Sequence, residues 1–68
     1  MQDNIFSRRL REARNAAGFT LKELGERTNM TDRAIWNYEN GRRYPALDAA
    51  YRIAEALHVT LSWLVGVD

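Results

Sequence analysis

Two short helical segments, each opened by a threonine, follow one another between residues 20 and 41 with almost no chain to connect them. The first begins with Thr20-Leu21-Lys22-Glu23, the pattern of a capping box: the threonine accepts a hydrogen bond from the third helical N–H, and Glu23 reaches back to the cap. Asn29 tolerates the left-handed conformation that often ends a helix. The pattern predicts a helix that starts after Thr20 and stops at residues 29–30.

The second segment starts at Thr31, whose hydroxyl suits the N-cap position of a helix. This helix is predicted from Asp32 to Asn40, and Gly41 ends it. Two helices joined by so short a turn cannot lie antiparallel, and we expect them to cross at a steep angle. This is helix-turn-helix geometry, in which the second helix protrudes and can enter the major groove of DNA.

Three further amphipathic segments complete the chain. The first is predicted over residues 4–17 and stops at Gly18, because apolar residues recur there at helical spacing: Phe6, Leu10, Ala13 and Ala17. The next begins without a good cap at Ala46 and ends at His58, with the expected apolar face Leu47, Ala50, Tyr51, Ile53, Ala54 and Leu57. Thr60 caps a last helix, Leu61 to Val65, which Gly66 ends. The sequence therefore predicts an all-α fold, a compact bundle of five short helices.

The composition fits one small domain over residues 1–68, with its core expected within residues 4–66. The sequence has no cysteine, which excludes disulfides and thiolate metal sites and fits a reducing cytoplasm. No apolar run approaches the length of a transmembrane helix, and the first residues lack the pattern of a signal peptide. We expect a cytoplasmic domain with no membrane contact, cofactor, metal ion or small-molecule ligand.

Positive charge is concentrated in the part of the chain that holds the two threonine-capped helices. Residues 4–43 contain nine basic and five acidic side chains, a net charge of +4, whereas residues 1–3 and 44–68 together carry −3. The overall net charge of +1 is weak support for a nucleic-acid partner, but this distribution favours one.

Several stretches resemble the phage-repressor family of helix-turn-helix proteins, also called the Cro/CI or XRE type. They are Thr20-Leu21-Lys22-Glu23-Leu24-Gly25-Glu26 with Met30-Thr31, then Ala34-Ile35-Trp36-Asn37-Tyr38-Glu39-Asn40-Gly41-Arg42-Arg43-Tyr44-Pro45, and Ala54-Glu55-Ala56-Leu57-His58-Val59-Thr60-Leu61-Ser62-Trp63-Leu64-Val65-Gly66. The resemblance runs from Phe6 to Gly66. It implies a lambda-repressor-like domain that binds double-stranded DNA sequence-specifically and regulates transcription as a repressor. Such regulators bind a palindromic operator as a homodimer.

The resemblance directs four side chains of the second capped helix toward base edges: Asp32, Arg33, Trp36 and Asn37. Arg33 suits a bidentate contact with guanine, and Asn37 one with adenine. Trp36 could pack on a thymine methyl group or a sugar, or in part on the protein itself. For Asp32 we favour a structural role, because an acidic residue in the first turn is stabilised by the helix dipole; a contact with cytosine is the minority interpretation.

Phosphate contacts are expected on either side of this helix, from Thr20, Lys22, Thr31, Asn40, Gly41, Arg42 and Arg43. The two arginines after Gly41 could also form an ordinary solvated loop, and the resemblance favours DNA. Leu21 departs from the family pattern, which usually has a DNA-contacting glutamine at this position. Contact with phosphate there must rest on backbone N–H groups and Lys22.

Arg14 and Glu39 occupy the positions of the buried ion pair of the family. The spacing agrees in part, because Arg14 follows Leu10 by four residues and so lies toward the buried side. Removing one partner of a buried pair is expected to cost about 3–5 kcal/mol. The alternative is two independent surface charges.

The C-terminal end offers candidate contacts for a two-fold dimer at His58, Trp63 and Val67, because family members commonly pair at this end. Each of the first two also has a structural interpretation. His58 stands at the helix end, where it acts as a cap more often than as a ligand, and Trp63, with Leu61 and Leu64, suits the core.

The alternative function is a protein-interaction module or an antitoxin that keeps the fold with weak or no specific DNA binding. The low net charge, Asp32 and Leu21 favour this alternative. An enzyme has little support, because the sequence has one histidine, no cysteine and no glycine-rich phosphate loop.

Overall fold

The computed structural model describes residues 4–67, and the chain forms five helices within them. They are α1 (Ile5–Ala17), α2 (Leu21–Thr28), α3 (Asp32–Glu39), α4 (Leu47–Leu57) and α5 (Leu61–Val65). No β-strand occurs among these described residues. The predicted fold class, an all-α bundle of five short helices, is confirmed.

Hydrogen bonds at the predicted caps explain why the helices begin and end where they do. The Thr20 hydroxyl accepts from the Glu23 N–H at 3.0 Å, and the Glu23 carboxylate accepts from the Thr20 N–H at 2.8 Å, which completes the capping box. The Thr31 and Thr60 hydroxyls accept from the N–H groups of Ala34 and Trp63 in the first turns of α3 and α5, where neither third residue has a carboxylate to complete a box. Ala46 gives α4 no side-chain cap, as predicted. The prediction for α3 was one residue too long, since Asn40 is its C-cap.

The turn between α2 and α3 depends on a close backbone approach. A β-carbon added to Gly25 would lie 2.6 Å from the carbonyl oxygen of Met30, where no real β-carbon fits. The chain turns at Asn29, whose φ of 59° is the predicted left-handed conformation. The N–H of Met30 then donates to the Gly25 carbonyl at 2.8 Å, which holds the turn against α2.

All five helices contribute to one apolar core, made of Phe6, Leu10, Leu24, Ile35, Ile53, Ala54, Leu57 and Leu64. Two residues predicted on the apolar face of α4 are exposed instead of buried. Leu47 is 75% exposed and Tyr51 is 53% exposed. They follow one another at a spacing of four residues and continue to Glu55, which is also exposed, so they form the outer stripe of the helix. Ala17, predicted on the inner face of α1, is exposed as well.

None of the described helices is long and apolar enough to cross a membrane.

Candidate nucleic-acid interface

The outer face of α3 carries the four residues predicted to contact base edges. Asp32, Arg33 and Trp36 are exposed and Asn37 is half-buried. The opposite side of the helix is anchored, because Ile35 is fully buried in the core. The eight-residue helix α3 therefore presents a short polar and aromatic surface on its outer side and is anchored in the core on the other.

Trp36 is the centre of this surface. Its side chain is 36% exposed, and the guanidinium groups of Arg33 and Arg42 lie 5.8 and 5.3 Å from the ring centroid. Both distances fall within the range of attraction between a cation and an aromatic face. The indole therefore lies on the surface in contact with two arginines, one from α3 and one from the loop that follows it.

A cleft of about 330 Å³ opens beside Trp36, between the start of α2 and the first turns of α3. Its lining residues are Leu21, Asp32, Arg33 and Trp36. Leu21 is half-buried and packs against the core. The leucine that departs from the family pattern therefore forms an apolar wall on the same surface as the candidate base-contacting residues.

The loop after α3 uses its backbone groups to end the helix. The Arg42 N–H donates to the Asn37 carbonyl at 2.9 Å, and the Gly41 N–H donates to the Tyr38 carbonyl at 3.3 Å. Gly41 has a φ of 70°, which favours glycine. Because these N–H groups are engaged, a ligand at this loop would meet chiefly the exposed side chains of Arg42 and Arg43.

The remaining candidate phosphate contacts differ in what they can offer. The Thr20 and Thr31 hydroxyls each accept from a backbone N–H, which leaves each hydroxyl proton able to donate. Lys22 is exposed in the first turn of α2. The Asn40 amide is partly engaged, since its Nδ2 donates to the Trp36 carbonyl at 2.8 Å.

Arg14 and Glu39 join the last turn of α1 to the end of α3. Arg14 Nε lies 2.5 Å from Glu39 Oε2, and Arg14 Nη2 lies 3.0 Å from Glu39 Oε1. The guanidinium therefore donates a hydrogen bond to each carboxylate oxygen. The side chains are 13% and 5% exposed. The hydrogen bond to Glu39 raises the pKa of Arg14, partial burial opposes this shift, and the charge of the carboxylate adds to it. Arg14 Nη1 also donates to the Phe19 carbonyl at 2.9 Å, which connects α1 to the start of α2.

Sequence reasoning missed three residues that hold α3 and α5 in place. Arg11 Nη2 donates to the Glu39 carbonyl at 2.7 Å, and the Ser7 hydroxyl donates to the Tyr38 carbonyl at 2.6 Å. The Arg9 guanidinium donates to the Trp63 carbonyl and stacks on the Trp63 ring at 4.9 Å from its centroid. These partners lie far away along the chain, so no local pattern could identify them.

The C-terminal end carries a second, apolar groove of about 580 Å³ where α1, α4 and α5 meet. Ala13, Ala16, Leu57, His58 and Trp63 are among its lining residues. His58 ends α4 with a φ of 57° and is exposed, so its structural role as a cap is observed. Val67, the third candidate dimer contact, is 74% exposed. Within residues 4–67 no group of three or more histidine, cysteine or acidic side chains is placed to hold a metal ion.

Comparison with known proteins connects this geometry to a family of regulators. The sequence model of the helix-turn-helix family matches residues 10–64. The chain is 36% identical over 61 residues to the HTH-type transcriptional regulator ImmR of Bacillus subtilis, covering 90% of this chain and 48% of ImmR. It is 46% identical over 48 residues to an uncharacterized HTH-type transcriptional regulator of Methanothermobacter thermautotrophicus, covering 71% and 70% of the two chains. The chain thus spans about half the length of ImmR.

Solved structures agree on the fold. The P22 c2 repressor, determined in complex with a synthetic operator, superposes with a TM-score of 0.90 at 20% identity and covers 96% of this chain and 98% of its own. The restriction-modification controller protein C.AhdI of Aeromonas hydrophila superposes with a TM-score of 0.82 at 29% identity, covering 87% and 86%. The chain belongs to the XRE-type helix-turn-helix family.

Proposed function

We propose that this chain binds double-stranded DNA sequence-specifically and acts as a transcriptional regulator, with α3 in the major groove. The observation that carries the proposal is the outer face of α3, whose polar and aromatic side chains project from a helix fixed by Arg14 and Glu39. The relatives are named transcriptional regulators, and the P22 c2 structure contains an operator. A family member of this kind is normally a regulator and not an enzyme, and we propose no catalytic role.

Base contacts fall to different side chains for different reasons. Arg33 can donate two hydrogen bonds to guanine O6 and N7, and Asn37 can pair with adenine N6 and N7. Asp32 stands in the first turn of α3, where its charge stabilises the helix by about 0.3–1 kcal/mol. We assign it this structural role first and a contact with an amino group of a base second.

The phosphates of both strands are the proposed partners of the side chains that flank α3. Arg42 and Arg43 follow the helix, and Lys22 stands at the start of α2. The hydroxyls of Thr20 and Thr31 retain a proton to donate. We assign smaller roles to Asn40 and Gly41, because their N–H groups already end α3.

We propose that two copies of the chain pair through the C-terminal end and bind two half-sites about one helical turn apart. The apolar groove between α1, α4 and α5 supports this pairing, because His58 and Trp63 line it, and Val67 near the end of the chain is exposed. Val67→Asp and His58→Glu would bring negative charges toward each other across a two-fold axis. Sedimentation at increasing protein concentration should then show a weaker dimer than the parent chain forms.

The function is tested by selecting bound sequences from a random pool of duplex DNA. We expect enrichment of a palindrome, and Arg33→Ala and Asn37→Ala should each relax the preference at one position per half-site. A folded protein that enriches no sequence would contradict the proposal. Binding that is insensitive to salt would instead favour the protein-interaction alternative, because phosphate contacts release counterions.

A further inference from the structure

The cleft between α2 and α3 differs in chemistry from the surface around it. Leu21 and the indole of Trp36 form apolar walls, whereas Asp32 and Arg33 bring polar groups to the same opening. The guanidinium groups of Arg33 and Arg42 lie 5.8 and 5.3 Å from the centroid of the Trp36 ring. The indole wall therefore has close neighbours on the recognition surface.

Apolar walls limit what such a cleft can hold. A phosphate or a polar base atom would lose hydrogen bonds to water that neither leucine nor the indole face can replace. Among the groups that base pairs present in the major groove, the C5-methyl group of thymine is the apolar one. Burying this methyl group against Leu21 and Trp36 removes apolar surface from water without leaving a polar atom unpaired.

We infer, on the basis of the DNA-binding function proposed above, that this cleft receives the 5-methyl group of one thymine in each half-site. The polar rim fits the rest of the same base pair. The paired adenine presents an amino group, from which the Asp32 carboxylate can accept a hydrogen bond, and Arg33 remains available to a guanine of a neighbouring base pair. Leu21 and Trp36 are thus specificity-determining residues, and the cleft selects thymine over cytosine at one position.

The test replaces each thymine of the selected operator, one at a time, by deoxyuridine. This change removes the methyl group and leaves every base-pairing and groove hydrogen-bonding atom in place. We expect one thymine per half-site at which the loss weakens binding by about fourfold, as burial of one methyl-sized group predicts. At the same position, 5-methylcytosine paired with guanine should bind better than unmodified cytosine by a similar factor.

Two variants locate the effect in the cleft. Leu21→Gln and Trp36→Ala should each bring the thymine-to-uracil affinity ratio at that position close to one, while Leu21→Met, which keeps an apolar wall, should preserve it. Circular dichroism verifies that each variant is folded. If Trp36→Ala binds no DNA, the thymine-to-uracil affinity ratio of Leu21→Gln alone tests whether the cleft holds the methyl group.

The outcomes separate this inference from the proposed function. An operator that binds specifically but tolerates uracil at every position would overturn the methyl-binding cleft and leave the regulator function intact. A ratio that is unchanged in both Leu21→Gln and Trp36→Ala would also overturn it, because the methyl group would then be read elsewhere. If the folded protein enriches no sequence, the proposed function and the cleft fail together.

Discussion

Gly25 and Met30 meet so closely that a β-carbon on residue 25 would lie 2.6 Å from the Met30 carbonyl oxygen. Two effects of Gly25→Ala therefore oppose each other. Alanine is favoured over glycine in a helix by about 1 kcal/mol, whereas overpacking a close contact typically costs about 1–3 kcal/mol. The contacted atom belongs to the backbone of the turn, which cannot rotate away as a side chain can. We expect the clash to dominate.

Thermal unfolding of Gly25→Ala should consequently show a melting temperature several degrees lower than that of the parent chain, since about 1 kcal/mol shifts a domain of this size by roughly 4–8 °C. Gly18→Asn is the matched control. Nothing lies within 4 Å of a β-carbon at Gly18, and asparagine tolerates its φ of 78°. A higher melting temperature for Gly25→Ala would show that helix propensity wins and that the turn can relax.

The Arg14–Glu39 pair should behave as one energetic unit. Glu39→Ala leaves Arg14 without its carboxylate, and Arg14→Ala leaves the Glu39 carboxylate with only the more distant Arg11, whose Nε lies 4.0 Å from Oε1. We expect each substitution to cost about 3–5 kcal/mol of unfolding free energy. The double substitution should cost clearly less than the sum of the two, because it leaves no buried charge unpaired; Arg11, which also faces Glu39, is 45% exposed. Urea unfolding of all four proteins measures the coupling.

Arg8→Ala serves as the control for this cycle, since Arg8 is exposed on the same helix and should change stability by no more than about 0.5 kcal/mol. Additive costs for Arg14→Ala and Glu39→Ala would mean two independent charges. In that case the angle of α3 would depend on the hydrogen bonds from Ser7 and Arg11 instead.

Features encoded within a few residues were predictable from the sequence itself, whereas features made by packing were not, apart from the Arg14–Glu39 pair that the resemblance supplied. The caps at Thr20, Thr31 and Thr60 involve partners three residues away, and all three were correctly predicted. The exposure of Leu47 and Tyr51 was missed because their spacing fits an apolar face, and only the position of the neighbouring helices decides which stripe of α4 is covered.

The same holds for the candidate site: the exposed residues of α3 were predicted, whereas the features that need two elements to meet were not. The resemblance predicted that Arg33 and Trp36 face outward, and both are exposed on α3. The cleft beside Leu21 arises from the crossing of α2 and α3, so it could not be read from either helix alone. The contact of Arg42 with the Trp36 ring likewise needs the loop to turn back along α3.

The capping box should make α2 sensitive to acid. The hydrogen bond from the Thr20 N–H lowers the pKa of Glu23 below its ordinary value of 4.5, and the Thr20 side chain contributes in the same direction. A lowered pKa in the folded state gives stability that is fully present above the ordinary value and is lost as the pH falls through the folded value. Glu23→Gln keeps an acceptor but cannot titrate.

The difference in unfolding free energy between the parent chain and Glu23→Gln should therefore be constant near neutral pH and shrink below about pH 4.5. Glu26→Gln, an exposed acidic position on the same helix, provides the comparison. A difference that grows as the pH falls would be incompatible with the capping role of the carboxylate.

Substitution of Arg43 tests a proposed phosphate contact, which adds affinity for DNA but does not distinguish one base sequence from another. Arg43 is exposed beyond the end of α3, and we propose that it meets a phosphate. Each lost phosphate contact should reduce the slope of log affinity against log salt by about 0.9, so Arg43→Ala should weaken binding uniformly across operator variants and flatten this slope. Arg52→Ala removes an exposed arginine of α4, away from the proposed interface in the chain, and should leave the slope unchanged. If Arg43→Ala instead changes the preferred base at one position with the slope intact, the side chain reads a base edge and the phosphate assignment is wrong.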